Sequence, residues 1–158
     1  LLGFSEKEAV DAIGYYREYY AEKGLLENTV YPGISALLPA LQHAGKTLIV
    51  ATSKPTIFAR RILDHFELSA CFAHIVGSNL DGSQVEKSEV IQQALNVASI
   101  PPSQCLMVGD RRFDIKGAHQ NHIGAVGVLY GYGSKEELQS CRPEYLVEDV
   151  PALSVLLL

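Results

Sequence analysis

Long apolar runs, an excess of basic residues and paired cysteines are all missing from this 158-residue sequence. No uninterrupted apolar stretch approaches the ~18 residues that a membrane-spanning helix needs. Thirteen Lys and Arg stand against eighteen Asp and Glu, a formal net charge of −5. That balance leaves no basic footprint for a phosphate backbone or an anionic lipid surface, so no nucleic-acid or membrane partner is expected. Cys71, Cys105 and Cys141 are odd in number and widely spaced, with no Cys-x-x-Cys pair. This argues against a disulfide framework or a zinc knuckle and reads as three buried or indifferent thiols. Leu1-Leu2-Gly3-Phe4 has neither a charged leader region nor a cleavage site, and a reducing cytoplasm is the expected location. Internal repeats and low-complexity tracts are also missing.

What is present is apolar material in quantity: 47% hydrophobic residues and 20% charged, enough for one core in a chain of single-domain length. Ser5 and Glu8 form a capping box, and Ala9, Ile13, Tyr16 and Tyr20 recur at helical spacing up to Lys23, with Gly24 as the stop. Tyr15 and Tyr19 widen the apolar face, predicting a helix packed on two sides. Pro32-Gly33 marks a hinge. Beyond it the pattern alternates, with helices over 34–43, 56–66, 88–98, 113–120 and from Lys135, and strands over 47–51, 74–76, 105–108, 125–129 and 145–147. A last turn of helix follows. Near-continuous apolar strands alternating with amphipathic helices predict an α/β fold with a parallel sheet. Pro39 predicts a kink or a late start in the first of these helices.

Ligands of parallel sheets bind beyond the carboxyl ends of the strands. Three such places carry polar residues. The strand ending at Ala51 runs into Thr52-Ser53-Lys54-Pro55, where a hydroxyl and free amides suit a phosphate, while local evidence alone favours an ordinary helix cap by Ser53 or Thr52. Gly109-Asp110-Arg111-Arg112-Phe113-Asp114 sets two carboxylates four apart, a pattern that suits a hard divalent cation, with helix capping as the alternative for Asp114. Lys87 opens a helix where the dipole disfavours a cation, so it is placed either for an external anion or simply in solvent.

In this order, Val50-Ala51-Thr52-Ser53-Lys54-Pro55, then Lys87, then Val108-Gly109-Asp110-Arg111-Arg112-Phe113-Asp114-Ile115-Lys116-Gly117-Ala118, the chain resembles the haloacid dehalogenase-like hydrolases, in their phosphoglycolate-phosphatase-like branch. Tyr31-Pro32-Gly33 resembles the return from a helical cap to the core. Gly127-Val128-Leu129-Tyr130-Gly131-Tyr132-Gly133-Ser134 resembles the family's next strand and loop. The resemblance implies a Rossmann-like core over 31–158, part of a helical cap over 1–30, and Mg2+-dependent hydrolysis of a small phosphomonoester through an aspartyl-phosphate. It implies that Thr52 and Ser53 bind the phosphoryl group, that Lys87 balances its charge, and that Asp110, with Asp114 in support, holds Mg2+. Lys87 departs from the commonest Lys-Pro form of its motif.

The family's first motif, Asp-x-Asp-Gly-Thr, does not occur. Asn79-Leu80-Asp81-Gly82-Ser83 is the nearest string, but Asn79 cannot form an acyl-phosphate, and a surface turn at Asp81-Gly82 is the expectation there. In the family that motif ends a central strand between the strands of Thr52 and Asp110. The resemblance therefore predicts a sheet open at its centre, to be completed by an upstream segment or a neighbouring chain, and a chain inactive by itself. The rival functions are a non-catalytic phosphate- or nucleotide-binding domain and a dehalogenase, the latter disfavoured by Asp110 as a metal ligand. Outside this set, His119 and His122 lie three apart and could share a metal or simply be solvated. Tyr130 and Tyr132 could stack a substrate or shape a loop, and Arg111 and Arg112 could attract an anion or pair locally.

Overall fold

The computed structural model describes residues 23–80, 83 and 86–158, together with 3, 5, 8, 11, 12, 14, 15, 19 and 20. Within the first predicted helix, the Ser5 amide and hydroxyl both donate to Glu8 Oε2, at 2.8 and 2.7 Å, so the capping box forms. Ala9, Ile13 and Tyr16 lie outside the described residues. Tyr15 and Tyr19 are 74% and 50% exposed, which corrects the expected two-sided packing. Tyr19 instead donates its hydroxyl to Glu27 Oε1 at 2.6 Å, while Tyr20 packs edge-on against Phe58.

From the hinge onward the chain alternates as the pattern predicts: α1 (Ile34–His43), β1 (Ile49–Pro55), α2 (Thr56–His65), β2 (His74–Ser78), α3 (Lys87–Ala98), β3 (Leu106–Gly109), α4 (Arg112–Gln120), β4 (Gly124–Val128), α5 (Lys135–Ser140), β5 (Tyr145–Val147) and α6 (Val150–Leu157). α1 runs from its predicted start through Pro39, so the expected late start does not occur. Gly33 precedes it with φ at +91°, a backbone state glycine enters without strain.

The strands pair in parallel as two sheets, β1–β2 and β3–β4–β5. Among the described residues nothing pairs with the second edge of β1 or of β3, so the sheet is interrupted between the strand of Thr52 and the strand preceding Asp110. Leu106 on β3 is 41% exposed there.

Period-two alternation sorts β4 between two layers. Ala125 joins Ile91 of α3, Ile115 and Ala118 of α4 and Leu138 of α5 in one buried cluster, while Val126 and Val128 face Leu37, Leu41, Val150 and Leu153 of α1 and α6 in another. Full burial of a side chain such as Val126 contributes about 1.5–3 kcal/mol. α3 holds the two sheets together: Ile91 packs into the first cluster, whereas Val90 and Ala94 pack on Val76 of β2. Ala51 of β1 touches both groups. The interruption is therefore bridged by a helix, not by strand pairing.

Candidate active site

β1 continues four residues beyond its predicted end because Gly77 of β2 lets the bulged segment come close. A Cβ on Gly77 would overlap the Lys54 carbonyl and crowd the Thr56 backbone. The register shifts between Thr52 and Pro55. Ser78 donates its hydroxyl to the Ser53 carbonyl at 2.9 Å, and the Gly77 amide donates to Thr56 Oγ1 at 3.0 Å. The helix-cap reading of Thr52 and Ser53 is overturned: α2 begins at Thr56 with Pro55 as its cap residue and no side-chain cap. Thr52 Oγ1 accepts instead from the Lys54 amide at 3.2 Å, within the segment itself.

Lys87 is the first residue of α3 and does not extend into solvent. Its Nζ donates to the Ala51 carbonyl at 3.0 Å and pairs with Asp114 Oδ1 at 2.9 Å, with the lysine side chain 13% and the carboxylate 8% exposed. One ammonium thus ties the residue before Thr52 to the helix that follows Asp110. A cation at a helix N-terminus is disfavoured by the dipole, and the buried carboxylate of Asp114 supplies the compensation.

The second oxygen of Asp114, Oδ2, accepts the Arg111 amide at 3.0 Å, so the expected capping occurs together with the ion pair. Asp114 lies so close to Gly109 that a Cβ there would overlap its side chain. Asp110, directly after β3, is held from the other direction. The Tyr132 amide donates to Asp110 Oδ2 at 2.8 Å, and Cβ atoms on Gly131 or Gly133 would overlap the Asp110 side chain or its carbonyl. Among the described residues Asp110 Oδ1 takes no hydrogen bond.

The remaining candidates resolve locally. Glu137 Oε1 accepts both Arg111 Nε and the Arg112 amide, each at 2.9 Å, and the Arg112 guanidinium lies over Phe113 at 4.8 Å from the ring centroid. These bonds hold the Glu137 carboxyl below its ordinary range, the backbone bond most strongly. Tyr130 packs edge-on with Tyr31, and burial first, then the neighbouring Tyr31 and Asp110, push its phenol upward. Tyr132 is 88% exposed and serves Asp110 through its amide. His119 faces Glu144 at 3.4 Å, and among the described residues no three metal-capable side chains gather. The three cysteines are free. The Asn79 amide donates to the Ser83 carbonyl at 3.1 Å, while Asp81 and Gly82 lie outside the described residues. Glu137 was not singled out by the sequence, since its partners are some 25 residues away.

A sequence model of the haloacid dehalogenase-like hydrolases matches residues 2–128. A 5'-nucleotidase of Pseudomonas aeruginosa is 44% identical over 151 residues, 96% of this chain and 68% of that protein. The tyrosine-protein kinase PtkA of Mycobacterium tuberculosis is 42% identical over 132 residues, 84% of this chain and 44% of its own length. A phosphoglycolate phosphatase of Pseudomonas syringae is 28% identical over 96% of this chain and 55% of its own length. The chain therefore spans about half to two thirds of these relatives. A crystal structure of a predicted phosphatase from Clostridium acetobutylicum superposes with a TM-score of 0.91 at 46% identity, covering 98% of this chain and 73% of that one. No helix among the described residues is long and apolar enough to cross a membrane. With its α/β fold, its parallel sheets and a match over most of its length, the chain belongs to the haloacid dehalogenase-like hydrolase family.

Proposed function

We propose that this chain is the phosphate- and metal-handling part of a Mg2+-dependent phosphomonoester hydrolase. Residues 31–158 form its core and 1–30 belong to a helical cap. The observation that carries the reading is the Lys87 ammonium, bonded at once to Ala51 beside Thr52 and to Asp114 beyond Asp110. Transfer of a phosphoryl group mainly requires positioned positive charge and hydrogen-bond donors around spreading negative charge. The bulged end of β1 offers the Thr52 hydroxyl, and Lys87 places a buried charge beside it. The names of the nucleotidase and phosphoglycolate phosphatase relatives favour a small phosphorylated metabolite as substrate.

The free Oδ1 of Asp110 fits one position on a hard divalent cation. Asp114, with both oxygens engaged, supports the site by orienting Lys87 and the Arg111 amide. A bound Mg2+ would draw charge from the phosphoryl oxygens. Its further ligands, and the carboxylate that accepts the phosphoryl group, come from a strand outside the described residues that pairs between β1 and β3, supplied by an upstream segment or a neighbouring chain. The open edges of those strands support that placement. On this reading a carboxylate oxygen bonds phosphorus as the substrate's P–O ester bond breaks and the alcohol leaves with a proton, and water then breaks the acyl-phosphate O–P bond to restore the carboxylate and release inorganic phosphate.

The test compares phosphate release from a generic phosphomonoester by the 158-residue chain and by a chain extended upstream. The extended chain should turn over with Mg2+, its Asp110→Asn variant should lose both activity and Mg2+ affinity, and the 158-residue chain should be inactive. Equal turnover by both chains contradicts an external nucleophile. Phosphate binding without release by the extended chain favours a binding domain, and full activity of Asp110→Asn removes the metal role.

A further inference from the structure

The charges around Asp110 come in pairs, and one pair does not belong to the phosphate set. Lys87 is matched by Asp114. Arg111, directly after Asp110, is matched by Glu137, which reaches across from α5. Arg111 also lies within electrostatic reach of Asp110 and Asp114. Glu137 makes both of its bonds through a single oxygen, to Arg111 Nε and to the Arg112 amide. α5 is itself anchored for this contact, because the Glu137 amide donates to Ser134 Oγ at 3.1 Å.

We propose that Glu137 is a positioning residue that holds and neutralises Arg111 beside Asp110, and so sets the balance between cation and anion affinity at this site. The inference rests on the proposed phosphate and metal reading. Without the Glu137 charge, Arg111 loses its ion-pair partner next to Asp110, whose Oδ1 takes no hydrogen bond among the described residues. A divalent cation is then repelled and a phosphate anion attracted, so the two affinities move in opposite directions. A residue that only shaped the loop would weaken both together.

Glu137→Gln separates the two effects, because glutamine retains an Oε1 that can accept the same two hydrogen bonds while the charge is lost. Binding to the 158-residue chain is measured by nuclear magnetic resonance for two probes separately, Mn2+ alone through paramagnetic broadening near Asp110 and inorganic phosphate through amide shifts. Relative to wild type, Glu137→Gln should bind Mn2+ about three- to tenfold more weakly and phosphate more tightly by a similar factor at low salt. Both changes should shrink as ionic strength rises. The double variant Arg111→Gln/Glu137→Gln should return both affinities toward wild type. Parallel weakening of both probes, or no change in either, overturns the proposal. A wild-type chain that binds neither probe at millimolar concentration also overturns the proposal, whereas the functional reading stands or falls separately on Mg2+-dependent turnover by the chain extended upstream.

Discussion

The two segments that meet at Lys87, the bulged end of β1 and the turn after β3, are built differently. The bulged end of β1 is shaped by contacts to its neighbour β2: a register shift, the bare backbone of Gly77 and the Ser78 hydroxyl on the Ser53 carbonyl. The turn after β3 is shaped by charge and by reach across the chain, with Asp114 on Lys87, Glu137 on Arg111 and the Tyr132 amide on Asp110. The first segment can keep its shape as long as the β1–β2 pair is intact. The second depends on ionised groups from three helices. On the proposed reading, a phosphate cradle at the end of β1 would need no ionised group of its own, whereas a cation site at Asp110 would have to be negative and hold its positive neighbours in place.

The largest expected effect comes from cutting the link between the two. Lys87→Met leaves the Asp114 carboxylate buried without a cation, which should cost about 3–5 kcal/mol in urea unfolding, and Lys87→Met/Asp114→Met should regain most of that loss. A single variant within about 0.5 kcal/mol of wild type would show that the pair contributes little.

Glycine substitutions come next and should divide by segment. Gly77→Ala and Gly109→Ala each force a new Cβ into an occupied space, at about 1–3 kcal/mol. Amide shift maps should place the Gly77→Ala disturbance around Thr52–Thr56 and the Gly109→Ala disturbance around Arg111–Asp114. Identical maps would merge the two regions into one unit.

Smaller again is Ser134→Ala. It removes the α5 cap and should cost about 1 kcal/mol, with loss of order around Glu137 and none at Thr52.

The smallest effect is acid sensitivity. Because Glu137 has its folded pKa lowered below 4.5, its contribution is complete above that value and disappears as pH falls through the folded one. The urea-midpoint difference between wild type and Glu137→Gln should therefore narrow as pH drops from about 5 to 3. A difference that stays constant over that range would contradict an ionised Glu137.

The fold could be read from the sequence wherever burial imposed a period. Ile34–His43 and Tyr145–Val147 begin and end where the pattern puts them, since apolar spacing and flanking glycine or proline determine both. β1 was read too short because Thr52-Ser53-Lys54-Pro55 carries turn residues, and only the partner strand, with a glycine at position 77, keeps it paired. Within the candidate site, Thr52, Lys87, Asp110 and Asp114 were singled out from their positions at strand ends and helix starts and by resemblance. Of the two readings of Asp114, a cation ligand or a helix cap, the capping bond forms, and the same carboxylate also pairs with Lys87, which no local pattern announced. Glu137 and the Tyr132 amide were invisible, because their role lies in contacts across more than 20 residues that no local pattern encodes. The outward-facing Tyr15 and Tyr19 show the converse failure, in which periodicity alone suggests a buried face.

The central claim is that the bulged end of β1 and the turn after β3 form one phosphate site. A titration of the 158-residue chain with inorganic phosphate, in the presence of Mg2+ and followed by amide shifts, tests it most directly. The account predicts saturable shifts with one common midpoint at Thr52–Lys54, at Lys87 and at Asp110–Arg112. Two unrelated midpoints, or shifts confined to one segment while the other stays still, would contradict it.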